Sequence, residues 1–320
     1  MRLRRSHARD QAEAGNFDSL DMLLMHHYIT STARNLVGPN EAQDIWQDVV
    51  PVQAYAHPML MHGILSLAGA DLARRYYSPT SSADQSEARG LCAKYRARAL
   101  SHQHAGLGLF QKALASKLDL PQRDIPPLIL FNLVLIIATF ALPLTDQDGI
   151  SMEDLLSLFT LCRGGKEVFN SLHDASMKQP LKNMMMVGDV SLLHYDIQKR
   201  LKTGIETETH QDTFDKLINY QRFCQDSVLD IRTVCHWPSM CSGAFVEDVK
   251  HLKADALVIL AQYSHVLHVC RSRWWIGEWA EMLLRAIHTS LSEEDKTRVG
   301  WNLEERLSEL QMVQMESVVL

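Results

Sequence analysis

The stretch PMLMHGILSLAGADL, residues 58–72, decides the fold class. Met59, Leu60, Ile64, Leu65, Leu67, Ala68 and Leu72 fill most of a helical cylinder. A helix apolar nearly all round belongs at the centre of a helical body, not on its surface. A second run, Leu128 to Leu142, carries Asn132 and Thr139 among its apolar residues and ends at Pro143. It is shorter than the roughly 20 residues a membrane span needs and reads as a buried core helix.

Working outward, helical patterning recurs along the chain. A helix starts near Asp18, with Asp18 or Ser19 as cap and Phe17 as a hydrophobic staple, and stops near Gly38-Pro39. Another short helix is expected from Ile45 to Val50 before Pro51. The loop SPTSSADQS occupies residues 78–86, and alternating Arg and Ala from Ala93 restart a helix that runs to Leu118. Breaks are expected at Pro121 to Pro127 and Pro143 to Gly149, and Ser151 with Asp154 forms a capping box. After a weakly periodic middle, residues 165–213, periodicity returns from Phe214 to Cys235 and breaks at Trp237-Pro238. Helices follow over Asp255 to Cys270, Trp274 to His288 and Ser292 to Met315. No repeat of fixed period and no hairpin signal occurs. The expectation is an all-α fold: a single compact multi-helix domain over residues 18–320, behind a basic N-terminal tail, residues 1–17.

Composition narrows the function classes. Of 320 residues, 46% are hydrophobic and 22% charged, which excludes a disordered or low-complexity chain. Lys and Arg number 32 against 38 Asp and Glu, a net charge of −6. That balance argues against gripping nucleic acid by bulk charge. The tail carries Arg2, Arg4, Arg5 and Arg9 but no apolar core, so it is not a secretory signal. Six cysteines are scattered with no CxxC pair, which suits reduced thiols in the cytosol or nucleus.

Motifs of chemistry are sparse. The sequence has no HExxH, EF-hand, GxSxG, SxxK, GxGxxG, GxxxxGK[ST] or DDxxD pattern, so no metal, no cofactor and no catalytic set is expected. His57 and His62 lie five apart and do not share a helix face, whereas His265 and His268 are i,i+3 and could. Asp226 and Asp230 read as a solvated face, Asp146 and Asp148 as turn residues. Met184 to Met186 could line an adaptable apolar pocket, though core filling is the favoured reading. Trp275 and Trp279, i,i+4 on one helix face, are either packing or one wall of an aromatic cavity for a lipophilic molecule.

Several segments together resemble one family. LMHHYITSTARNL (24–36) and IWQDVVPVQAYAHPMLMHGILSLAGADLARR (45–75) look like the opening of the regulatory domain of fungal zinc-cluster transcription factors of the sterol-uptake-control type. The later segment, with Trp237-Pro238, the helix Ala256 to His268, Trp274-Trp275, Trp279 and then Trp301, resembles the second half of that domain. The resemblance implies an all-α regulatory domain with a hydrophobic pocket for a sterol, terpenoid or similar small molecule. It also implies control of fungal lipid or secondary-metabolite genes, with the protein in the nucleus or cytoplasm.

Two departures qualify that implication. Residues 1–20 contain no cysteine, so the six-cysteine DNA-binding cluster of the family is missing from this stretch. Four arginines alone support only weak, sequence-blind contact with phosphates. Sequence-specific DNA binding then needs a partner protein or a cluster encoded upstream of this stretch. Second, where such regulators carry LAHYAV, this chain reads LAQYSH, which puts Gln262 and His265 at i,i+3 on an apolar helix. Such groups pair with each other, face water, or line a polar spot in a pocket. The candidate ligand-binding residues are Met184, Met186, Gln262, His265, Trp275 and Trp279. The alternative is an enzyme acting on a terpenoid or other lipophilic intermediate, with His265 and Gln262 as its catalytic pair. A third reading makes the tryptophan-rich helices a homodimer contact.

Overall fold

A computed structural model describes residues 17–37, 43–77, 85–115, 125–146, 149–171, 217 and 231–316. The described residues contain helices and turns and no strand, as an all-α chain requires. They gather into two compact units that divide near residue 145.

Among the described residues, the first unit holds α1 (Ser19–His27), α2 (Val50–Ala56), α3 (Pro58–Tyr77), α4 (Gln85–Ala115) and α5 (Ile125–Ala141), with a three-residue helical turn at Ala33–Asn35. Helix α1 starts at a capping box in which Asp18 accepts from the Asp21 backbone and Asp21 accepts from the Asp18 backbone. It then widens into a π-helical segment, Tyr28–Thr32; a second π-helical segment, Ile45–Val49, leads into α2. The two are joined by the Tyr28 hydroxyl, which donates to the Trp46 carbonyl at 3.1 Å. Pro51 does not end a helix as expected. It sits in the first turn of α2, where a missing N–H costs nothing. Phe17 is not a staple either: its intended partner on α1, Met22, is 56% exposed.

Helix α3 is the central element, packed against α4, α5, α1 and α2. Met59, Leu60, Ile64, Leu65, Leu67 and Ala68 are all buried, as the cylinder pattern demands. Gly69 lets α3 approach α4 closely; a Cβ there would lie 2.9 Å from Ala99 Cβ and 3.1 Å from the Tyr95 carbonyl. Helix α5 and the turn that follows it form one apolar stretch, Pro126–Thr145, of 20 residues with a mean hydropathy of 2.4. That length and composition would suffice for a membrane, but its apolar window is 94% buried by the protein itself. It is a core helix.

The second unit holds α6 (Met152–Ser171), α7 (Ile231–Met240), α8 (Gly243–Lys250), α9 (Ala254–Val269), α10 (Trp279–Ser290), α11 (Glu293–Arg298) and α12 (Leu303–Glu316). The expected Ser151–Asp154 box caps α6, with Asp154 N–H donating to Ser151 Oγ at 3.1 Å and Ser151 N–H donating back at 2.8 Å. Helix α9 is buried along most of its length and packs against α10, α8, α12 and α7. Trp237, Phe159, Phe245 and Tyr263 form an aromatic cluster, with Trp237–Phe159 and Trp237–Phe245 edge-on at 5.6 and 5.7 Å.

In the second unit three boundaries differ from the periodicity. Trp237-Pro238 lies inside α7 and does not break it. Helix α10 starts at Trp279, not Trp274, because Gly277 takes a left-handed φ of 48° that no helix can pass through. The last expected helix is divided into α11 and α12 at Gly300, with φ 61°.

Candidate functional site

The site residues named from the sequence fall partly in view. Met184 and Met186 lie outside the described residues. Trp275 and Trp279 are 1% and 0% exposed, so both are core. They do not share a helix face, because Trp275 belongs to the turns before α10. Trp301, also buried, donates from Nε1 to His288 Nδ1 at 3.2 Å.

Gln262 and His265 both lie on α9, and His268 continues the same stripe at i,i+3. Gln262 is buried and His265 half-buried. His265 Nδ1–H donates to the Gln262 carbonyl at 3.2 Å. The imidazole therefore pairs with the backbone of Gln262, one turn back. Burial pushes the His265 pKa down, with the backbone contact and Glu309 of α12 opposing and Arg306 assisting. His268 is 6% exposed, and its Nε2 is sealed from solvent with no hydrogen-bond partner. Burial, then Arg271 and His265, push its pKa down to about 4, so it is neutral at pH 7. A sealed imidazole nitrogen without a partner costs stability and calls for an explanation, a bound water or ligand being one. Among the described residues, no three His, Cys, Asp or Glu side chains converge as a metal-binding set.

The sequence reading missed a second polar constellation, in the first unit. Asp21 of α1 is 1% exposed and accepts from Arg98 of α4 at 2.7 and 2.6 Å. Its Oδ1 also accepts from His102 Nε2 at 2.8 Å. His102 Nδ1 in turn meets His62 Nδ1 of α3 at 2.8 Å. The four residues are separated by up to 81 positions, so no local spacing pointed to them. Burial alone would raise the Asp21 pKa, but Arg98, the Asp18 backbone and His102 outweigh it and hold the carboxylate ionised. A parallel cluster ties the π-helical segment to α3: Asp71 accepts from His27 Nε2 and Thr32 Oγ1, both at 2.8 Å, and from Arg75 at 3.1 Å.

No family model matches the chain. It is similar to Sterol uptake control protein 2 of Saccharomyces cerevisiae, with 37% identity over 70 residues. That segment is 20% of this chain and 7% of the yeast protein. It is likewise similar to Sterol uptake control protein 2 of Candida albicans, with 35% identity over 65 residues, 20% of this chain and 9% of that protein. The match therefore spans less than a tenth of the length of either curated relative. It supports a relation to fungal transcription regulators over part of the chain.

Proposed function

We propose that the chain is a ligand-sensing regulatory domain that controls fungal lipid or secondary-metabolite genes in the nucleus through a DNA-binding partner. The partial similarity to the sterol uptake control proteins supports the regulatory class. The observation that carries the sensing is His268 Nε2, sealed and unpartnered on the same stripe as Gln262 and His265. A lipophilic molecule with one hydroxyl or carbonyl suits that chemistry once the packing over Nε2 opens to admit it. Its polar end would pair with the imidazole, and its apolar body would lie among aliphatic side chains. A neutral imidazole can donate or accept there.

The test is a deletion strain profiled for transcripts and metabolites together. The expected result is a set of transcripts lost along with their products. Steady transcripts with one accumulating precursor would overturn the reading and make the chain an enzyme.

A further inference from the structure

The chain of hydrogen bonds in the first unit has a direction. Asp21 is ionised, so His102 Nε2 must carry the proton it shares with Asp21. In the neutral imidazole that leaves His102 Nδ1 as an acceptor, and the 2.8 Å contact then requires His62 Nδ1 to be the donor. The lone pair of His62 consequently sits on Nε2. That atom has no hydrogen-bond partner among the described residues, and it is not one of the atoms sealed from solvent. His62, itself 8% exposed, is therefore the outer end of an Asp–His–His relay whose other members are 1% and 5% exposed.

Its surroundings are apolar on one side and charged on the other. The ring of Phe17 lies over both imidazoles, with centroids 5.4 Å from His62 and 6.4 Å from His102. Gly63, beside His62, and Gly106, one turn past His102, both close on the Phe131 ring. The charged groups facing the pair are Asp18 and Asp21 from α1 and Arg98 from α4. Clamping α1 to α4 needs only Arg98 and Asp21; the two histidines are not required for it.

We propose that His62 is a general base, and its conjugate acid a general acid, for proton transfer on a lipophilic substrate with an acidic C–H or O–H. His102 and Asp21 are its positioning residues. Proton uptake at Nε2 makes His62 an imidazolium whose Nδ1–H stays bonded to His102, and Asp21 stabilises the charge through His102. Returning the proton to another substrate atom completes an isomerisation with no co-reactant. This site is independent of the sensing stripe on α9, and either reading can fail alone.

The test uses the full chain and 5-nitrobenzisoxazole, an apolar probe of general bases. Loss of its C3 proton to the base forms the nitrile, breaks the N–O bond and releases 2-cyano-4-nitrophenolate. The base then returns the proton to water. The expected rate is about a hundredfold above buffer, within what a placed base contributes. Its acid limb should fall near pH 4, not 6.5, because burial and then His102 push the His62 pKa down to about 4. His62→Gln should return the rate to that of buffer with the helical circular dichroism intact. His102→Gln should lower the rate and move the limb. A His62→Gln variant as fast as the parent, or a parent no faster than buffer, overturns the proposal. Should His62→Gln fail to fold, the unmodified protein decides. Diethyl pyrocarbonate mapping by mass spectrometry should find His62 carbethoxylated under native conditions. A His62 that reacts only after denaturation overturns the proposal.

Discussion

The hydroxyl of Tyr263 donates to the carbonyl of Val234, the acceptor left unused in α7 because Pro238 has no N–H to offer it. One residue of α9 thus repairs a defect in another helix, and α7 carries a proline in its interior without an orphaned carbonyl. Tyr263→Phe should cost about 1–3 kcal/mol, the price of one buried unsatisfied acceptor. Restoring the N–H with Pro238→Ala should recover part of that loss in the double variant. A urea-denaturation cycle over the four proteins reads the coupling; additive costs would mean that the two residues do not share the carbonyl.

Two glycine substitutions should act with opposite sign. Gly69→Ala forces a methyl to 2.9 Å from Ala99 Cβ and 3.1 Å from the Tyr95 carbonyl, and should destabilise by about 1–3 kcal/mol. Gly108→Ala, on α4 with nothing within 4 Å of the new Cβ, should stabilise by up to about 1 kcal/mol through helix propensity alone. Thermal melts of both variants check the pair.

Ion pairs should divide by burial. Asp21→Asn leaves Arg98 and His102 facing a neutral group in a site 1% exposed, and should cost about 3 kcal/mol. Glu247→Gln, breaking a 3.7 Å contact to Lys250 with both side chains about 60% exposed, should change stability by less than about 1 kcal/mol. Equal losses from the two variants would contradict the buried geometry.

Acid should act in two stages. His62, His236 and His268 have folded-state values near 4, depressed first by burial, against an ordinary 6.5. Below pH 6.5 the unfolded chain takes up protons that the folded chain refuses. Stability should therefore decline from about pH 6.5 to about 4. Asp21 and Asp71 lie below the usual 3.8 because their partners outweigh burial, so their contribution disappears only at still lower pH. Denaturation midpoints measured from pH 7 to pH 3 test this. A midpoint unchanged down to pH 4.5 would show that the histidines are not held neutral.

How much was legible depended on the range of the interactions. The cylinder of α3, the apolar α5, the Asp18 cap and the Ser151–Asp154 box all follow from neighbours within one or two turns and appear where the periodicity put them, except that α5 starts at Ile125, inside the expected Pro121–Pro127 break. The exceptions are positions where distant contacts override a local rule. Pro238 reads as a stop signal because its cost is local, whereas Tyr263, which offsets that cost, is 29 residues away. Trp275 and Trp279 read as one face because the tryptophan spacing outweighed Gly277. The Asp21–Arg98–His102–His62 set was invisible for the same reason, since nothing local joins α1, α3 and α4. On α9, by contrast, Gln262 and His265 stood out as polar breaks in an apolar run, and the structure places both on the stripe that includes His268.

The π-helical segments Tyr28–Thr32 and Ile45–Val49 have a consequence for tracing ancestry. Each accommodates one more residue than an α-helical path would, the geometry that inserting a single residue into an α-helix would produce. Each residue turns an α-helix by about 100°. A homologue without the insertion would therefore keep register with this chain only across a one-residue gap. Aligned without gaps, its positions beyond Thr32 would be paired with positions of this chain turned by about 100°, so the buried stripes would fall out of step and the kinship would be scored too low.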